Sequence, residues 1–125
     1  MKLRGTNFLM YKALFLSPMV PTYDVCKTTD FLHDALGFDI RNLDSGYAIC
    51  QRDQMTLHLL PAGKDIGEME LYLEVDDVDA VWEVLKSHVE GIRHKPPSDR
   101  EYGMREIHVD IPATKALMFI GQSIG

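Results

Sequence analysis

The sequence predicts an α+β fold built from two successive βαβββ modules, and three observations carry that reading. The same order of strand-like and helix-like patterns runs twice along the 125 residues. Asp24-Val25 at the first strand-to-helix junction recurs as Asp77-Val78 at the second, about fifty residues on, and a glycine, Gly37 or Gly91, closes each helix-like stretch. The last segment, residues 101–122, alternates polar and apolar groups and reads as two strands joined by a turn at residues 111–114.

In the first module, residues 13–23 ("ALFLSPMVPTY") read as a strand. An amphipathic helix follows, with Phe31, Leu32, Ala35 and Leu36 on one face, and Gly37 ends it. Three short strands come next, "GFDIRNL", "GYAICQRD" and "MTLHLLP", separated by Asp44-Ser45-Gly46 and Asp53-Gln54, lengths suited to hairpins. In the second module "MELYLEVD" alternates strictly, and Val78, Val81, Trp82, Leu85 and Val89 then form a helical stripe. "IRHKPP" is a short strand and "SDREYG" a loop before the final pair. Asp24 and Asp77 are the expected helix caps, which accounts for both without a chemical role. In the final pair, alternation assigns Ile107, Val109, Leu117 and Phe119 to one face and Glu106, His108, Met118 and Ile120 to the other. A one-residue shift in the hairpin would exchange these faces.

Composition bounds the function classes. Hydrophobic residues make up 46% and charged ones 26%, enough apolar material for one domain's core. The net charge of −6 argues against nucleic acid or an anionic membrane as partner, since both recruit basic patches. The imbalance lies wholly in the second half: residues 63–125 carry 7 basic and 13 acidic side chains, against 6 and 6 before them. Cys26 and Cys50 form neither a zinc-type spacing nor a disulfide framework, so a cytoplasmic setting is expected. The opening 18 residues have a basic start but only "ALFL" is continuously apolar, too short for a span. Residues 1–12 are expected to be an arm before a single domain at 13–125, with modules at about 13–62 and 68–122. Met10 is an alternative start.

The order of elements, with "PTYDVCKTTDFLHDALGF" near the front and "YGMREIHVDIPATKALMFIGQ" at the back, resembles the vicinal oxygen chelate superfamily over residues 13–122. Its glyoxalase, bleomycin-resistance and dioxygenase grouping is the best match, above all the metal-free bleomycin-resistance-type members. The resemblance implies curved mixed sheets around a cleft, helices on the outer face, and a homodimer. Leu57, Leu59, Leu71, Leu73, Val75, Leu117 and Phe119 then form the apolar set expected beneath the helices.

Metal-using members carry ligands at positions that fall here on Ser17, His58, Glu70 and Met118. Serine and a methionine thioether are poor ligands for the divalent ions concerned, so the set is broken and no cofactor is expected. The final turn also departs from the family, with "IPAT" in place of an Asp-Pro-x-Gly pattern. The implied function is a non-catalytic protein that binds a small organic ligand, cationic or aromatic, such as an antibiotic. Candidate ligand-binding residues are His58, Glu70, Tyr72, Tyr102, Met104, Glu106, His108 and Met118, with Tyr47 beside them: aromatic and thioether groups to contact the ligand, carboxylates to meet its charge. The alternative is a divalent-metal-dependent isomerase, lyase or dioxygenase, with His58 and Glu70 as ligands and Glu106 or His108 as base.

Overall fold

The computed structural model describes residues 10–42 and 46–125. It contains eight strands and two helices: β1 Met19–Thr22, α1 Val25–Leu36, β2 Asp39–Asn42, β3 Ala48–Arg52, β4 Met55–Pro61, β5 Met69–Glu74, α2 Val78–Leu85, β6 His94–Asp99, β7 Met104–Asp110 and β8 Ala116–Ser123. A 3-10 turn over Lys86–His88 extends α2. The strands form two four-stranded mixed sheets, ordered β1-β4-β3-β2 and β5-β8-β7-β6, and neither closes on itself. In each module the first strand runs parallel to the last, while the remaining pairs are antiparallel. The two βαβββ modules expected from the sequence are therefore present.

Both helices start on the expected aspartates. The Asp24 carboxylate accepts from the Lys27 N–H at 3.2 Å, and Asp77 from the Ala80 N–H at 3.0 Å, satisfying amide donors that have no partner in the first turn. Gly37 takes φ 73°, the left-handed geometry that lets its N–H and that of Phe38 return to His33 and Leu32 carbonyls. Phe31, Leu32 and Ala35 of α1 and Val78 and Leu85 of α2 are buried in one continuous core with strand residues of both sheets. Each sheet thus turns one face to a helix and leaves the other free.

Two expectations change. The first strand is short: residues 13–18 form no strand, and Leu14, Phe15 and Leu16 stand exposed, since of the segment before α1 only Met19–Thr22 pairs with β4. The turn after the second strand lies partly outside the described residues, at 43–45, as do residues 1–9 of the expected arm. The second change is the parity of the final hairpin. Ile107 lies opposite Ile120, and Val109 opposite Met118, so these four share the helix-covered face; His108 lies opposite Phe119 and Asp110 opposite Leu117 on the free one. Leu117 and Phe119 are not the core pair, and Met118 is not on the pocket face. Ile111 donates to the Ala116 carbonyl, leaving an even number of residues, 112–115, inside the loop, so odd numbers on β7 share a face with even numbers on β8.

The "IPAT" turn forms without glycine because Ala113 itself adopts the left-handed conformation, φ 64°. Contacts from the first module hold it there. The Tyr23 N–H donates to the Ala113 carbonyl at 2.8 Å, and the buried Thr28 hydroxyl donates to the Pro112 carbonyl at 2.8 Å while lying 2.7 Å from the Thr22 hydroxyl. Surrounding structure thereby fixes a backbone state that alanine alone disfavours.

Candidate functional site

The free face of the second sheet gathers the densest set of expected site residues. Register places Glu70, Tyr72 and Glu74 of β5 beside Leu117, Phe119 and Gly121 of β8, and these beside Asp110, His108 and Glu106 of β7. At its centre the Glu106 carboxylate is 1% exposed. Oε2 accepts from the Tyr72 hydroxyl at 2.7 Å, and Oε1 from the Tyr102 hydroxyl at 2.5 Å and from His108 Nε2 at 3.0 Å. Three donors on one buried carboxylate offset the cost of taking its charge out of water. Burial acts to raise the Glu106 pKa, but the bonds from Tyr102, Tyr72 and His108 outweigh it and hold the group below the usual carboxylate value. Tyr72 and Tyr102 are both pushed upward: Tyr72 by loss of solvent and then by its bond to Glu106, Tyr102 chiefly by that bond.

Aromatic rings frame this carboxylate. Phe119 lies 4.2 Å from the His108 ring and stacks near-parallel to Tyr72 at 6.2 Å, centroid to centroid. Tyr102 reaches in from the β6–β7 turn, where Gly103 at φ 85° allows the chain to reverse. Tyr72 and Tyr102 remain 50% and 57% exposed, so each offers ring surface to solvent while its hydroxyl is tied to Glu106. No arginine or lysine neutralises Glu106 directly among the described residues. Arg100 lies over the Tyr102 ring, its guanidinium 5.9 Å from the centroid, with a buried Nε that has no partner among the described residues, and Lys95 lies opposite His108 on the next strand.

Of the expected residues, Tyr72, Tyr102, Glu106 and His108 are thus united, and Met104 shares their face at the end of β7. Glu70 is on the same face toward the other end, lining a polar recess of about 520 Å³ with Arg93, Asp110 and Lys115. Arg93 is held there by a two-armed pair to Asp110, both arms at 3.0 Å. His58 belongs to the first sheet, where Nδ1 meets the Tyr47 hydroxyl at 2.6 Å. Met118 is buried on the helix side, at the inner wall of a cavity of about 430 Å³ between the modules, with Leu57, Leu71 and Leu73. Sequence reasoning missed Phe119, which the wrong parity hid, and Gly121, whose presence inside a strand was the available signal.

The metal positions implied by the resemblance do not converge. The Ser17 hydroxyl bonds to that of Thr56, His58 to Tyr47, Glu70 stands exposed on the other sheet, and Met118 faces the core. Among the described residues no three His, Cys, Asp or Glu side chains are grouped as an ion would require. Within one chain these four residues do not form the metal site that the resemblance implies.

Two mixed sheets of this order, each with one helix-covered and one free face, define the fold of the glyoxalase, bleomycin-resistance and dioxygenase proteins, in agreement with the vicinal oxygen chelate resemblance. A bleomycin-binding protein from Streptomyces verticillus, solved with copper(II)-bleomycin, is 25% identical, with 93% of this chain and 99% of that one covered and a TM-score of 0.68. A bleomycin-binding protein complexed with bleomycin is 25% identical over 89% and 99% of the two chains, TM-score 0.73. A glyoxalase/bleomycin resistance protein/dioxygenase from Nocardioides, 17% identical over 94% and 87%, has a TM-score of 0.72 and shares the fold. No protein-family model and no curated protein sequence matches the chain.

Proposed function

We propose that the protein binds a small organic cation, aromatic in part, on the free face of its second sheet, without metal and without catalysis. The observation that carries this reading is the buried Glu106 charge, bonded by two tyrosines and a histidine rather than by a fixed cation, and framed by Tyr72, Tyr102 and Phe119. A positive ligand gains from that charge and from the ring faces together, the more so where water is excluded. The 25%-identical neighbours bind bleomycin, which supports an organic ligand of that kind. Cys26 and Cys50 are free thiols, the Cys50 thiol pushed up to about 11 by burial, and this fits a reducing cytoplasm.

A second copy is the partner that accords with this reading, because exposed Phe15, Leu16 and Met19 leave apolar surface that the other described residues do not bury. Isothermal titration with bleomycin and with benzamidine tests the ligand class. Binding by wild type that falls about tenfold or more in Glu106→Gln supports it; equal binding by both proteins removes Glu106 from the site.

A further inference from the structure

We propose that Tyr72 is a gate whose hydroxyl occupies the seat of a ligand N–H group on Glu106, so that the cleft selects cations that donate hydrogen bonds, an ammonium or amidinium, over quaternary ones. This rests on the reading of the second sheet as a cation-binding face. Tyr72 belongs to β5 and Glu106 to β7, with β8 between them. The residue of β8 opposite Glu106 is Gly121, and it is there that the tyrosine crosses the strand. A Cβ at position 121 would overlap the Tyr72 hydroxyl and press on its ring. The side chain therefore reaches the carboxylate through a gap that only glycine leaves open.

The inventory of bonds identifies what the gap can take. A carboxylate has about four acceptor positions. Oε1 holds two donors, Tyr102 and His108, whereas Oε2 holds one, Tyr72. Rotating Tyr72 outward frees its position on Oε2 and leaves both acceptor positions of that oxygen open, above a glycine floor and beside the Phe119 ring, which suits a flat amidinium or a primary ammonium. Tyr72 can move because half of its surface already faces solvent, unlike Glu106, which Tyr102 and His108 keep in place. A trimethylammonium has no N–H to replace the lost hydroxyl bond.

Titration of benzamidine and of benzyltrimethylammonium into wild type, Tyr72→Phe and Gly121→Ala discriminates. Wild type should prefer benzamidine. Tyr72→Phe keeps the ring and deletes the competing hydroxyl, so benzamidine should bind about tenfold tighter. Gly121→Ala fills the seat and should lose most of the benzamidine affinity. Unchanged or weaker benzamidine binding in Tyr72→Phe overturns the gate. If both cations bind wild type equally and both weaken in Glu106→Gln, the cation-binding face stands and the gate falls. If neither binds, both readings fall.

Discussion

Glu106 shows how a single residue sets the chemistry of a face. A buried carboxylate without donors would take a proton, but here the two tyrosine hydroxyls and His108 favour the charged form. The consequence for stability follows from linkage. A carboxylate whose folded-state pKa lies below its ordinary value of 4.5 contributes stability that is present above that pH and is lost as pH falls through the lowered value. Relative to Glu106→Gln, wild type should therefore have the higher urea midpoint at neutral pH, with the gap closing below the ordinary carboxylate value. A gap that widens on acidification would mean that burial, not the donors, governs this group.

At the level of elements, periodicity made both helices and most strands legible. The Phe31/Leu32/Ala35 and Val78/Leu85 stripes and the two aspartate caps needed no partner beyond their own segment to be read. What periodicity could not supply was the relation between β7 and β8, because a loop of even length reverses which residue numbers share a face and no residue announces that length. Glu106, His108 and Tyr102 are grouped by β7 and the β6–β7 turn alone, so the misread hairpin leaves them together, and Tyr72 joins them across β8 at Gly121. Met118 moves to the buried face, and Phe119 takes the place on the free one. The corrected register makes a quantitative demand. Ile120→Ala, at a fully buried position, should cost about 2–5 kcal/mol, and Met118→Glu, rather than creating a metal ligand, should destabilise by placing a carboxylate among buried apolar side chains. Leu117→Ala on the free face should be milder than Ile120→Ala. Denaturant midpoints in the reverse order would restore the other register.

On the scale of the whole molecule, one core serves both modules, and the "IPAT" turn of the second is fastened to the β1–α1 junction of the first through Thr22, Tyr23 and Thr28. Among the described residues, Leu14, Phe15 and Leu16 before β1 stay largely exposed. A homodimer should therefore appear in light scattering at about twice the chain mass, and Phe15→Ser with Leu16→Ser should shift it toward monomer on dilution. A wild-type monomer at all concentrations would remove the second copy from the account.

The central claim is that the Glu106 face receives the ligand. The most direct measurement is an amide chemical-shift titration of the labelled protein with benzamidine. The largest shifts should fall at Glu106, His108, Phe119 and Gly121, with their neighbours on β5 following. Shifts concentrated instead at Tyr47 and His58 on the first sheet, with the Glu106 strand silent, would contradict it.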